Sequence, residues 1–190
     1  MTVRIGLYFG SFNPIHNGHL IIANHVAEYG NVDKIWFVVS PQNPLKETKS
    51  LLNEYDRLHL VKLAIQDNER FHASDIEFKL PRPSYTIDTL TYLSEHFPQH
   101  QFKVIMGSDS FQNIGRWKNH DVLLRDYELI LYKRPGFEVT GTNSNVTMLA
   151  APLLEISSTY LRTQIRDKKS IRYLTPDIVA DYIHENRYYL

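Results

Sequence analysis

The sequence predicts an α/β protein, one open, doubly wound parallel sheet with helices on both faces. Three observations carry this prediction. Short apolar runs alternate with stretches of helical period about five times, the pattern of strands and crossover helices taking turns. Some of the runs are continuously apolar, as strands covered on both faces are. The chain is 190 residues long, and a single core serves chains up to about 250 residues. With no internal repeat, low-complexity tract or linker, residues 1–190 read as one domain whose part from about residue 157 is helical.

Val3 to Phe9 is the first strand, ended by Gly10. From Gly18 to Tyr29, Leu20, Ala23 and Ala27 recur at helical spacing, with Asn17 as N-cap and Gly30 past the end. Ile35 to Val39 is a strand closed by Ser40-Pro41, and a polar loop follows. Glu54 to Gln66 sets Leu58, Val61 and Ile65 on one helical face, and Ile87, Leu90 and Phe97 do the same in the next helix. Phe71 to Ala73 between them is a short strand. Phe102 to Met106, ending at Gly107, and Leu129 to Tyr132, stopped by Arg134-Pro135-Gly136, are further strands, with Val146 to Leu149 as a last one. Ser157 caps a short helix through Ile165, and Thr175-Pro176 opens a final helix carrying Ile178, Val179, Tyr182 and Ile183. In such sheets ligands lie beyond the carboxyl ends of the strands, where strand order reverses. The loops to inspect therefore begin near Gly10, Ser40, Ser74, Gly107 and Lys133.

Composition narrows the chemistry. The chain is 43% hydrophobic and 22% charged, and its 21 Lys and Arg balance 21 Asp and Glu. Disorder is excluded, and a nucleic-acid binder working through a broad basic face is disfavoured, though a local basic patch is allowed. With no Cys, there is no disulfide framework, thiolate metal site or cysteine nucleophile. The apolar stretch before Gly10 is too short for a signal peptide or a spanning helix, so the expectation is a cytoplasmic protein without a membrane partner. Asn145-Val146-Thr147 matches a glycosylation acceptor, which in that setting reads as a chance match.

The first strand ends in Gly10-Ser11-Phe12-Asn13-Pro14-Ile15-His16-Asn17-Gly18-His19, not in a dinucleotide or Walker-type glycine loop. Gly10 and Gly18 let backbone approach a ligand, and the amides opening the next helix suit an anion. His16 and His19, three apart across the helix start, suit one phosphate. They also read as surface or capping residues, or as a metal pair lacking a third ligand. Ile156-Ser157-Ser158-Thr159-Tyr160-Leu161-Arg162 offers a second anion seat, with hydroxyls and amides at a helix N-terminus and an Arg one turn on; the alternative is a Ser-Thr cap with a solvated Arg. Arg166, Lys168, Lys169 and Arg172 either draw in an anion or form a solvated charged face.

The first segment resembles the Gly-Ser/Thr-Phe-Asp/Asn-Pro-x-His-x-Gly-His motif of the nucleotidyltransferase superfamily with a Rossmann-like fold, and Ile156 to Arg162 resembles its Ile-Ser-Ser-Thr-x-x-Arg motif. Ser84-Tyr85-Thr86-Ile87-Asp88-Thr89-Leu90, Gly107-Ser108-Asp109-Ser110 followed by Trp117, and Lys133-Arg134-Pro135-Gly136 make the whole similar to the bacterial nicotinate-nucleotide adenylyltransferases. The resemblance implies a reaction in which nicotinate mononucleotide and ATP give deamido-NAD and pyrophosphate by direct attack. It implies that His16 and His19 bind ATP phosphates and that Ser157, Ser158 and Arg162 hold the departing pyrophosphate. Gly10, Ser11, Phe12, Gly107, Asp109 and Ile156 complete the ATP seat.

For the acceptor, the resemblance implies Asn13, Lys46, Thr86, Asp109, Trp117 and Lys118. Trp117 would stack on the pyridine ring, amides near Thr86 and Lys118 would meet the carboxylate, and Asp109 would contact ribose. Taken by themselves, Trp117 reads as a half-buried packing residue and Asp109 as a helix cap. Lys46, in the loop Ser40-Pro41-Gln42-Asn43-Pro44-Leu45-Lys46, would bridge both substrates' phosphates, although this loop departs from the family's pattern and an exposed Lys is the plain alternative. Mg²⁺ would arrive with ATP and needs no dedicated protein ligand. A homo-oligomer is allowed. The rival readings are a phosphopantetheine adenylyltransferase, which has a shorter chain without the Ser84 to Leu90 segment, a nicotinamide-mononucleotide enzyme, and a nucleotide-binding sensor without turnover.

Overall fold

The computed structural model describes residues 1–42, 51–134, 136–139, 144–152 and 154–190. In chain order the elements are β1 (Arg4–Gly10), α1 (Asn17–Tyr29), β2 (Lys34–Val39), α2 (Glu54–Ile65), β3 (Phe71–Ser74), α3 (Thr86–His96), β4 (Gln101–Gly107), α4 (Ser108–Phe111), α5 (His120–Asp126), β5 (Glu128–Tyr132), β6 (Val146–Leu149), α6 (Ser158–Arg166) and α7 (Asp177–Glu185). Two single turns of tighter helix lie at Ile76–Lys79 and Ile114–Arg116. All six strands pair in parallel in the order β3-β2-β1-β4-β5-β6. The chain winds outward from β1 to β3, crosses back over β1 to β4, and winds outward the other way. The reversal lies between β1 and β4, so the loops leaving their carboxyl ends diverge and open a crevice.

Burial explains the apolar runs. Successive strand side chains alternate between faces, and both faces are covered. Tyr8, Ile35, Phe37, Ile105 and Ile130 face one core, completed by Val26 of α1, Leu60 and Val61 of α2, Leu161 of α6, and Val179 and Ile183 of α7. Ile5, Leu7, Val104, Met106, Leu129 and Leu131 face the other, with Ile87, Leu90 and Leu93 of α3 and Leu123 of α5. Among the described residues, no helix is long and apolar enough to cross a membrane.

Several boundaries differ from the sequence reading. Asn17 is the first residue of α1, and the cap position falls on His16, whose backbone is extended. Asn17 lies inside the helix, and its side-chain amide donates to the Tyr173 carbonyl at 2.8 Å. Thr175 does not open α7 either; Pro176 takes the cap position, while the Thr175 hydroxyl donates to the Ile15 carbonyl at 3.0 Å. Ile178, expected on the buried stripe, is 41% exposed. The sequence reading did not find α5, and it gave Asp109 as the cap of a helix after Gly107, whereas Gly107 takes the cap position of α4 and Asp109 lies in its first turn. With only Leu123 buried, the seven-residue α5 shows no apolar period. Asn145 donates its side-chain amide to the Arg125 carbonyl at 2.9 Å, which gives this residue a structural role at the end of α5.

Candidate active site

The β1–β4 crevice is a cleft of about 390 Å³. Its lining includes Gly10, Ser11, Phe12, Asn13, His16, His19, Asp109, Ile156, Ser157, Ser158 and Arg162, so motifs from opposite ends of the chain meet there. Gly107 caps α4 beside it. A Cβ on Gly107 would collide with the Asp109 carboxylate, so glycine is what lets Asp109 turn back over the strand end.

Two expectations about the first motif change. The space at Gly10 is filled by the Phe12 ring, 2.8 Å from where a Cβ would lie, and that at Gly18 by the His16 ring at 3.0 Å. These glycines therefore seat the motif's own side chains. Phe12 is 2% exposed and holds φ at 44°, left-handed backbone that a large residue rarely adopts. The ring packs edge-on to Tyr8 and His19. Of the amides opening α1, that of Asn17 donates to the Leu174 carbonyl at 2.9 Å and is not offered to an anion.

The two imidazoles are stacked, with ring centroids 3.7 Å apart. The His16 backbone N–H donates to His19 Nδ1 at 3.2 Å. That bond makes Nδ1 an acceptor and puts the proton of the neutral His19 ring on Nε2, its donor edge. His16 is 6% exposed. Burial, with the Arg134 guanidinium adding to it, lowers the His16 pKa to about 4, so the ring is neutral at pH 7. Its Nδ1 is buried without a partner among the described residues.

The second motif closes the other wall. Ser157 caps α6, its Oγ accepting from the Tyr160 amide at 3.1 Å, which leaves the hydroxyl proton for a ligand. Ser158 donates to the Pro14 carbonyl at 2.9 Å. Arg162 donates to the Asn13 carbonyl at 2.8 Å and the Thr159 hydroxyl at 3.1 Å. Cap and anion seat are thus compatible, and α6 is bonded directly to the histidine loop. The Asn13 side chain accepts from the Leu52 amide at 3.1 Å, so it holds chain as well as lining the cleft.

Arg134 is the functional candidate that sequence reasoning missed, although it stood in a quoted segment. It reaches the cleft with Nη1 3.4 Å from Asp109 Oδ2, and its backbone N–H donates to the buried Ser108 hydroxyl at 2.9 Å. The guanidinium lies 5.6 Å from the Tyr132 ring centre. A cation two residues beyond a strand's carboxyl end, at a sheet edge expected to bind anions, was the available signal. Asp109 Oδ1 is buried without a hydrogen bond among the described residues, as suits an acceptor awaiting a ligand hydroxyl.

Thr86, Trp117 and Lys118 do not line this cleft. Thr86 starts α3. Lys118 binds both Asp88 oxygens at 2.9 and 2.8 Å and lies 5.0 Å from the Tyr85 ring centre, which brings Lys118 and its neighbour Trp117 to that helix start. Trp117 is half-buried against the second core. Lys46 lies outside the described residues. The basic run faces elsewhere: Lys168, Lys169 and Arg172 line an open groove of about 980 Å³ between α6 and α7. Lys169 and Arg172 pair with Asp167 and Asp177 at 3.6 Å, as a solvated charged face does.

Over 189 residues, 98% of each chain, this sequence is 52% identical to a protein of Cytophaga hutchinsonii described as a probable nicotinate-nucleotide adenylyltransferase. The chain belongs to the nicotinate-nucleotide adenylyltransferase family. A Flavobacterium psychrophilum relative of the same description is 45% identical, covering 98% of this chain and 99% of its own. The broader cytidylyltransferase-like family matches residues 7–164, and the chain is a nucleotidyltransferase. The fold is shared with a Plasmodium falciparum nicotinic acid mononucleotide adenylyltransferase solved in complex with NaAD. The TM-score is 0.83 at 20% identity, with 98% and 97% of the two chains covered. In this member of the adenylyltransferase family, the family match takes in both cleft motifs and the Thr86 and Trp117 segments between them.

Proposed function

We propose that the cleft transfers the adenylyl group of ATP to nicotinate mononucleotide, giving deamido-NAD and pyrophosphate. The observation that carries this reading is the convergence of His16, His19, Arg134, Ser157 and Arg162 on one cleft, with α3 starting on the same edge of the sheet. A phosphate oxygen of the mononucleotide attacks the α-phosphorus of ATP. The new P–O bond forms as the bond to the β-phosphate oxygen breaks, and pyrophosphate leaves. The nucleophile is already an anion, so no general base is needed. Catalysis is positioning plus charge stabilisation at a phosphorus centre. His16 as a neutral ring and His19 through Nε2–H donate to oxygens of the transferring group. Ser157 and Arg162 hold the leaving pyrophosphate, Lys46 bridges the phosphates, and Asp109 accepts from ribose.

Among the described residues no group of three His, Cys, Asp or Glu is placed to hold a metal, and the cleft carboxylate, Asp109, is paired with Arg134. This donor set does not make a resident metal seat. Mg²⁺ belongs to the substrate, carried on the ATP phosphates. On the acceptor side, Thr86 and Lys118 offer amides to the nicotinate carboxylate, and Trp117 offers its ring face to the pyridine. The setting for this step of NAD biosynthesis is the cytoplasm.

The test offers Mg-ATP with nicotinate mononucleotide, nicotinamide mononucleotide or phosphopantetheine and measures pyrophosphate release. Fastest release with the first is expected. No release with it, or faster turnover of either other acceptor, overturns the reading.

A further inference from the structure

Outside the cleft, the least expected groups are a buried cation and a buried anion that both lie near one serine, Ser40. Arg57 is fully buried and Glu77 is 2% exposed. The Arg57 guanidinium is satisfied by four backbone carbonyls: Ser11 at 2.6 Å, Ser40 at 2.8 Å, Leu52 at 2.8 Å and Pro41 at 3.1 Å. Ser11 follows β1, Ser40 and Pro41 follow β2, and Leu52 leads into α2. Glu77 accepts from Ser84 Oγ at 2.7 Å and Thr89 Oγ1 at 3.0 Å, and the nearby Ser40 hydroxyl also favours its charged form. Burial pushes the Glu77 carboxyl above its ordinary value, and the neighbouring hydroxyls offset only part of that rise.

Ser84 and Thr89 stand on either side of Thr86, the first residue of α3. A desolvated carboxylate and a desolvated guanidinium are retained in a core only where their hydrogen bonds are satisfied. Here each fixes backbone at the carboxyl edge of the sheet, one on the ATP side and one on the mononucleotide side.

We propose that Glu77 is a positioning residue for the mononucleotide: by holding Ser84 and Thr89 it fixes the start of α3, beside the Ser40 turn that Arg57 bonds to the Ser11 turn. The proposal rests on the adenylyl-transfer reading. In-line attack needs the two phosphates in near contact, and a shift of about 1 Å costs on the order of 10²-fold in rate. Two neighbouring buried sets of hydrogen bonds, one at each substrate seat, set that distance without touching either substrate.

The experiment compares Glu77→Gln, Ser84→Ala and Thr89→Val by steady-state kinetics and by hydrogen exchange. Glu77→Gln keeps the shape but puts an amide donor where the Ser84 and Thr89 hydroxyls donate. We expect it to raise KM for nicotinate mononucleotide about tenfold or more while KM for ATP stays within about twofold. Amides of residues 84–90 should exchange faster while those of β4 do not. Ser84→Ala and Thr89→Val each remove one bond to Glu77 and should move the same quantities in the same direction by less. If Glu77→Gln fails to fold, these two carry the test.

An equal rise in both KM values, or none, overturns the positioning role, as does unchanged exchange over residues 84–90. A wild-type protein that does not turn over nicotinate mononucleotide sinks the reading of the function instead, and the exchange experiment then decides the network separately.

Discussion

His16 shows how one side chain's surroundings set a property that sequence leaves open. Its folded pKa of about 4 lies below the imidazole's ordinary value of 6.5. The unfolded chain therefore takes up a proton that the folded protein refuses. Stability from this group is complete above pH 6.5 and is lost as pH falls from 6.5 toward 4, by about 3 kcal/mol in all. Urea unfolding at pH 7.5 and pH 4.5 checks this by comparing wild type with His16→Asn, which lacks the titrating ring and should show a shallower loss; equal losses would refute it. Asp33, held at about 2 by hydrogen bonds from Arg4, is also depressed, but its stabilisation is lost only below about pH 3.8, outside that window. His19 has a different task. With Nδ1 engaged by the His16 amide, its donor edge matters most as charge develops, so His19→Ala should lower kcat by roughly 10²–10³-fold. Equilibrium titration of ATP should show affinity nearly unchanged. Lost affinity with normal kcat would reassign the ring to ground-state binding.

At the scale of elements, the start of α6 combines a cap with a proposed phosphate seat, and two substitutions separate them. Ser157→Ala removes the acceptor for the Tyr160 amide and should cost about 1 kcal/mol in urea unfolding. Ser157→Asp restores the cap and suits the positive end of the helix, so stability should return to near wild type. A carboxylate among the pyrophosphate oxygens should nevertheless depress kcat/KM for ATP below that of Ser157→Ala. If the Asp variant is as active as wild type, α6 is capped but does not hold the leaving group. The strands and this cap were legible because local pattern determines them. Both sheet faces are covered, so strands such as Ile35 to Val39 read as unbroken apolar runs, and a Ser before a helix is a local signal. The elements that escaped notice lack such signals. Helix α5 buries one side chain, and the start of α1 is held by contacts far along the chain, the Asn17 side-chain amide donating to a carbonyl 156 residues away. Arg57 lies between these cases. It shares helical spacing with Leu60, Val61 and Ala64, all buried, a signal the sequence reading did not use, and nothing local said which carbonyls it would meet.

At the scale of the molecule, a chain with no net charge concentrates Arg134, Arg162 and two imidazoles in one cleft, and it does so by fastening its two ends together. Every residue from Asn13 to Asn17 except His16 is held by the C-terminal part. Arg162 bonds the Asn13 carbonyl, Ser158 that of Pro14 and Thr175 that of Ile15, while Asn17 donates from its backbone to Leu174 and from its side chain to Tyr173. His16 is thus suspended in a span whose neighbours are bolted to residues about 150 positions away, which explains how a loop with left-handed Phe12 keeps its imidazole seated. Thr175 is 1% exposed, and Thr175→Val, nearly isosteric, leaves the Ile15 carbonyl without its partner. We expect a loss of about 1–3 kcal/mol in urea unfolding, and a fall in kcat of about tenfold measured at temperatures where the variant is fully folded. Ile178→Ala, on the exposed side of the same segment, is the control and should change stability by less than about 1 kcal/mol with turnover intact. If Thr175→Val loses stability but keeps the wild-type kcat, the C-terminal segment stabilises the fold without positioning the histidines. If it loses turnover while Ile178→Ala does not, the closing of the chain on its own first loop is part of the catalytic apparatus.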